Sequence, residues 1–206
     1  MTEQTRPVAR RGPYAKSARR RAEIISSATS VFSARGYRGG SLREIAKQLD
    51  LSLTSVVHHF PSKSALLVAV LENADFASVA SFQSDSRSEG VAYAVLQYVR
   101  RNLERQEMLR LLALMAAESS APDHPAHQWF RDRYERVIAT LAITIRRDQD
   151  KGRVSNSRDP RAIAGVLVAV WDGLQLQWLI DQRLDLVGGM TAAMEDLLGT
   201  RLPRDA

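Results

Sequence analysis

Leu53, Thr54, Ser55, His58 and His59 gather a branched apolar group, two hydroxyls and two imidazoles within two helical turns. Carried on one helix, this set suits the major groove of DNA. Hydroxyls and imidazoles exchange hydrogen bonds with base edges or phosphates, and leucine packs on a thymine methyl. Upstream, Arg6, Arg10, Arg11, Lys16, Arg19, Arg20 and Arg21 are relieved only by Glu3, the pattern of a polyanion-seeking arm or of a plain solvated tail. Glu118, Asp123, His124 and His127 form the best cluster for metal or hydrolytic chemistry. Pro125 separates the two histidines, however, and histidines beside a loop are more often surface residues at a helix start, so no metal ligand is assigned. Neither a glycine-rich phosphate loop nor a nucleophile elbow is present, and the lack of cysteine removes thiol nucleophiles, disulfides and Cys-based zinc sites. The expectation is a protein without catalytic residues or cofactor, not an enzyme.

The 206 residues carry a formal net charge of +6. Residues 1–65 hold 12 Lys+Arg against 4 Asp+Glu, and residues 66–206 hold 17 against 19, so the basic excess belongs to the first third. A hydrophobic share of 45% is ordinary for a globular chain, and the length allows one or two domains with a real core. The longest apolar run, Ala162 to Trp171, is about half of a membrane span, so no membrane association is expected. The opening residues lack a secretory-signal pattern, which together with the absence of cysteine suits the cytoplasm.

The elements that must position these groups are helical. Gly12 and Pro13 argue against helix before about Ser17, which leaves residues 1–16 as a flexible basic arm. Ile24, Ile25, Ala28, Val31 and Phe32 recur at helical spacing, and Gly36 stands where a left-handed stop is needed. Ser41 with Glu44 reads as a capping box, its carboxylate reaching back to the cap. Ser52 and Ser62 are caps for the next two helices, and Phe60-Pro61 breaks the chain between them. Residues 17–65 thus read as a helix-turn-helix unit and 66–206 as a second helical domain, joined by a helix over 63–84 that ends at the polar run Asp85-Ser86-Arg87-Ser88. Apolar periodicity then marks helices near 88–104, 106–119, 126–151, 160–182 and 187–199, with Asp159-Pro160 a strong start signal. No alternating β-branched run occurs, and the fold class is all-α.

In order, Phe32-Ser33-Ala34-Arg35-Gly36-Tyr37, Ser41-Leu42-Arg43-Glu44-Ile45-Ala46, Leu51-Ser52 and His59-Phe60-Pro61-Ser62-Lys63 with Leu66 form a linked set. This set resembles the TetR family of transcriptional regulators, in detail from about Ile24 to Leu71 and beyond that only as an all-helical pattern. The resemblance implies that Ser41 and Lys63 contact phosphate and that the helix from Leu53 to His59 reads the groove of double-stranded DNA. Three positions depart from the family: Asp50 replaces a frequent turn glycine, Thr54 another glycine, and Val57 a tyrosine that touches the DNA backbone.

The resemblance also implies a homodimer built from the last long helices, for which Tyr134, Ile138, Leu141, Val166, Val170 and Leu174 are the expected interface. Gly165 and Gly173 interrupt an apolar helix at a cost of about 1 kcal/mol each, which close approach of another helix would offset. The bland alternative is that both helices belong to the monomer core. An effector pocket is expected among the middle helices, led by Met108, Met115, Trp171, Gln175 and Trp178 with Tyr93 and Trp129, and a small hydrophobic effector is the expected occupant. Repression of a near-palindromic operator, relieved by that effector, is the implied mechanism. A helical nucleic-acid or protein-interaction module without an effector remains open.

Overall fold

Serine hydroxyl and aspartate carboxylate groups cap five helix starts, the fifth through Asp185, which accepts from the Gly188 amide at 2.8 Å. Ser41 accepts from the Glu44 amide at 3.2 Å, Ser52 from Ser55 at 3.1 Å, Ser62 from Ala65 at 3.0 Å and Asp159 from Ala162 at 2.8 Å. The computed structural model describes residues 13–202 as nine α-helices: α1 Pro13–Gly39, α2 Leu42–Gln48, α3 Leu53–His59, α4 Lys63–Ser88, α5 Val91–Leu103, α6 Gln106–Glu118, α7 His127–Asp150, α8 Pro160–Ile180 and α9 Leu186–Leu198. Among the described residues no strand occurs.

Two expected boundaries move. Helix α1 begins at Pro13, because proline lacks the amide that a first turn leaves unpaired and its fixed φ suits that turn. The expected arm therefore overlaps α1, and residues 1–12, with Arg6, Arg10 and Arg11, lie outside the described residues. Helix α4 continues through Asp85–Ser88, where the Ser86 and Ser88 hydroxyls bond back to the Gln83 and Asp85 carbonyls and Arg101 holds Asp85 at 2.6 Å. The chain then turns between α4 and α5 at Gly90, whose φ of +96° admits glycine best. There Asp148, 57 residues away on α7, accepts the Val91 amide at 2.6 Å and so caps α5 across the fold.

Two apolar cores hold the helices. The first joins Ile24, Ala28 and Phe32 of α1, Ile45 of α2 and Val56 of α3 to Leu66, Leu67 and Leu71 of α4 and to Leu111 and Met115 of α6. Packing therefore runs straight through the expected 65/66 boundary, and α1 lies along α6. The second core lies among α5, α7, α8 and α9, around Val99, Ile145, Ile163, Leu167 and Met194. Helix α4 belongs to the first core in its opening turns and reaches Phe82, against the second, near its end.

Candidate nucleic-acid interface and effector cavity

Helices α2 and α3 meet at a turn in which Asp50 takes φ +52° and the Leu51 amide donates to the Ala46 carbonyl at 2.9 Å. Aspartate tolerates this left-handed geometry better than most residues, so the turn forms without the family's glycine. Asp50→Gly is accordingly expected to raise stability by up to about 1 kcal/mol, read as a higher urea midpoint. The Ser41 cap forms, but the reciprocal half of the capping box does not: Glu44 turns away to meet Arg35 at 3.1 Å. A positive neighbour outcompetes a single amide for the carboxylate.

Val56 is fully buried and pins α3 on the head. That anchoring turns Leu53, Thr54, Val57 and His58 outward, while Ser55 and His59 are only partly exposed. Val57 adds a residue to the expected set on this face, since positions i, i+1, i+4 and i+5 counted from Leu53 lie on one side of the helix. The His58 and His59 rings meet edge to face at 5.4 Å.

Arg19 and Arg20 stand on α1 and both meet Glu23, at 3.0 and 2.7 Å. Arg21 lies over the Phe60 ring, 4.8 Å from its centre, which links the cationic start of α1 to the end of α3. Ser41 is exposed, and its cap role uses its lone pairs, leaving the O–H to donate. Lys63 covers the Tyr37 ring at 4.5 Å and donates to the Arg38 carbonyl at 3.3 Å. Burial pulls the pKa of its ammonium down, against the opposing pull of Glu118.

Glu118 ties the head to the body. Its carboxylate accepts the Tyr37 amide at 3.0 Å, directly beneath Gly36, whose φ of +69° and ψ of 176° are closed to other residues. His124 packs edge-on against Tyr37 with ring centres 5.1 Å apart and bonds Ser119 and the Ala126 amide through Nδ1. His127 turns its Nδ1 to the Ser119 carbonyl at 2.8 Å. Glu118, His124 and His127 are thus spent on a loop and a domain junction, while Asp123 is exposed; among the described residues no group of three or more possible metal ligands occurs.

A cavity of about 420 Å³ opens among α4, α5, α7 and α8. Of the seven residues expected to line it, Trp171 alone does so. Met115 is buried in the first core with Met108 and Trp129 packed against it, Trp178 and Gln175 are buried elsewhere on α8, and Tyr93 is partly buried on α5. Large apolar side chains fill space, and Met115 and Trp178 serve the cores. The cavity is lopsided: Val79, Phe82, Leu141, Ile143, Leu167 and Met190 line it with apolar surface, whereas Asp75, Tyr98, Arg133 and Asp172 bring charge and hydroxyl. Arg133 binds Asp75 at 3.1 Å, and Arg136 reaches the same carboxylate at 3.4 Å. Tyr134 donates to Asp172 at 2.9 Å and Gln175 donates to its other oxygen at 3.0 Å. Burial first, and the Asp172 charge second, push the Tyr134 phenol up to about 12, so it stays a donor. Burial also raises the Asp172 carboxyl. The cavity thus carries more charge than the expected hydrophobic occupant calls for.

The expected dimer residues divide. Leu141 is buried, Ile138, Val170 and Leu174 pack on the second core, and Tyr134 is bound to Asp172; Val166 alone is exposed. Helix α8 is apolar on two sides, and its inner face runs through the buried Ile163, Leu167, Trp171 and Trp178. Its outer face is a separate stripe of Ala162, Val166, Ala169, Gly173, Leu176 and Ile180, all exposed, with Ile180 at 80%. Among the described residues nothing lies within 4 Å of a β-carbon built on Gly165 or Gly173, so no described helix makes the close approach expected to offset these glycines.

The profile of the bacterial regulatory proteins of the tetR family matches residues 24–70, and that of the C-terminal domain of BetI-type transcriptional repressors matches residues 88–203. The HTH-type transcriptional regulator RutR of Escherichia coli K12 is 34% identical over 90 residues, 44% of this chain and 42% of RutR, so the match spans less than half of that relative. The A-factor receptor protein of Streptomyces griseus is 25% identical over 178 residues, 85% of this chain and 61% of the receptor. Among solved structures, GusR of Salmonella enterica superposes with a TM-score of 0.73 at 22% identity, covering 92% of this chain and 98% of GusR, a likeness of fold.

Proposed function

Since the chain belongs to the TetR family of bacterial regulatory proteins, we propose that it is a sequence-specific DNA-binding regulator of transcription, a two-fold dimer that a small molecule in the α4–α8 cavity releases from a near-palindromic operator. One observation carries this reading: α3 is anchored by the buried Val56 and turns Leu53, Thr54, Val57 and His58 to solvent beside the arginines of α1. An exposed face of that kind on a helix of groove-fitting width suits base edges. Ser41, Lys63, Arg19 and Arg20 are the phosphate-side candidates, and Thr54, Leu53 and His58 the base-side ones, with Ser55 and His59 at the margin. In the bound state Glu23 yields Arg19 and Arg20 to phosphates, an exchange of one exposed ion pair for another at small net cost.

The outer stripe of α8 supports the second copy. Helix α8 is long and apolar enough to cross a membrane by length and composition, and only a third of its apolar window is buried within the chain. Small residues at Ala162, Ala169 and Gly173 let a symmetry-related α8 approach closely, and a dimer sets two recognition helices about 34–36 Å apart. Effector and DNA then weaken each other by one common factor, with α4 as the rigid member that touches both cores. A dimer seated on a promoter excludes polymerase, which favours repression.

Selection of bound duplexes from a random pool, followed by salt titration, tests the reading. The expected result is a two-fold symmetric site. Lys63→Ala should lower affinity for all sequences alike and reduce the salt slope by about 1, while Thr54→Ala should relax discrimination by about 1–3 kcal/mol at one position per half-site. Equal affinity for selected and random DNA would overturn it.

A further inference from the structure

We propose that Leu53 and Val57 act as a paired methyl reader: each operator half-site carries two thymines within about two base pairs of one another, their C5-methyl groups seated against this apolar flank of α3. The proposal rests on the DNA-binding reading and names the base chemistry that α3 selects. Seven large apolar side chains are exposed among the described residues. Val166, Leu176 and Ile180 belong to the outer stripe of α8, and Val79 and Ile143 line the cavity. Leu53 and Val57 are the remaining two, exposed to 37% and 38% on a helix of only seven residues. Neither belongs to a core cluster.

Their spacing makes them one surface. At about 100° per residue, positions four apart diverge by about 40°, so the two side chains stand one turn apart on the same flank. Thr54 and His58 repeat that spacing beside them, and both are exposed. The outward face is therefore divided lengthwise into an apolar row and a polar one. Reading by hydrogen bonds falls to the polar row. The apolar row has neither donor nor acceptor, and the apolar feature that base edges present in the major groove is the thymine C5-methyl. Cytosine presents an N4 amino donor instead, and covering that donor with leucine or valine leaves it without a partner. The row thus favours thymine and penalises cytosine. Along the helix axis the pair spans about 6 Å, between one and two base-pair steps of about 3.4 Å. What surrounds the pair fits DNA better than an apolar protein partner. Arg21 sits over Phe60 at the end of α3, Lys63 opens α4, and residues 1–65 hold 12 Lys+Arg against 4 Asp+Glu.

A duplex recovered by selection is resynthesised with each thymine of one half-site replaced in turn by deoxyuridine, which removes the methyl and keeps every hydrogen-bonding group. Binding of the full-length protein is read by fluorescence anisotropy. Two positions, within about two base pairs of each other, should each lose about fourfold in affinity, the effect of one buried methyl, while the remaining thymines lose less than about twofold. Leu53→Ala should erase the loss at one of these positions and Val57→Ala at the other. Both variants should fold as the parent does, because exposed substitutions of this kind barely change stability. A flat uridine scan on DNA that is still preferred over random sequence, or a selected half-site without thymine, would overturn the methyl reader and leave the DNA-binding reading in place. Uridine losses that persist unchanged in both alanine variants would assign the methyls to other side chains and overturn it as well. Equal affinity for selected and random duplexes would remove both.

Discussion

Leu176→Glu combined with Ile180→Glu is expected to turn the dimer into a monomer at micromolar concentration and to lower operator affinity at least a hundredfold. Both residues stand on the outer stripe of α8, exposed to 52% and 80% in the isolated chain, and touch neither core cluster. Folding of the subunit should therefore survive, with an unchanged helical circular dichroism spectrum. In the proposed dimer the stripes of two α8 helices face each other, so four carboxylates would be desolvated without partners, at several kcal/mol each. The DNA consequence follows from geometry. Two linked recognition helices bind with an avidity about 10²–10⁴ above that of one, and a monomer forfeits it. Sedimentation velocity and fluorescence anisotropy on one selected duplex check both halves. A double variant that still sediments as a dimer would place the interface elsewhere, with Val166→Glu as a second probe of the same stripe nearer the start of α8.

The division between what was legible in sequence and what was not follows the range of the interactions. Ser41, Ser52, Ser62 and Asp159 announce helix starts because a cap bonds an amide three residues on, within the same stretch of chain. The head was legible for the same reason: its helices are short, and Val56 had to point inward if Leu51 did. Asp148 capping α5 was not, since nothing local to either residue records a contact across 57 positions. Nor could periodicity divide the two apolar faces of α8. A helix apolar all round announces that both faces are covered, but not by what. One signal was present and passed over. Between Pro160 and Ile180 only Arg161, in the first turn, and Asp172 are charged. A lone carboxylate midway along an apolar helix needs a reason, and the cavity beside it is marked by the groups that remain polar, a signal that apolar periodicity does not carry.

Gly36→Ala is expected to cost about 3 kcal/mol or more and to weaken DNA binding strongly although α3 is untouched. Two independent terms add. The backbone at φ +69° and ψ 176° belongs to a region that only glycine occupies without strain, worth about 1–3 kcal/mol for any other residue. A β-carbon there also overlaps the Glu118 carboxylate, which is not free to leave, since it accepts the Tyr37 amide at 3.0 Å and lies 3.5 Å from His124 Nε2. The head is fastened to the body at this corner, with Lys63 over the Tyr37 ring from one side and His124 against it from the other. Whichever way the strain relaxes, Tyr37 must move, and with it the end of α1 that carries Arg38 to Lys63. The effect on DNA binding thus arises from the placement of the head and not from its contacts. Urea unfolding measures the first term and anisotropy the second. A cycle with Glu118→Ala separates them: removing the carboxylate should relieve the overlap but not the dihedral strain, so Gly36→Ala should cost less in the Glu118→Ala background while remaining unfavourable. A cost unchanged by Glu118→Ala would remove the overlap from the account, and no cost in either background would refute the strained junction itself.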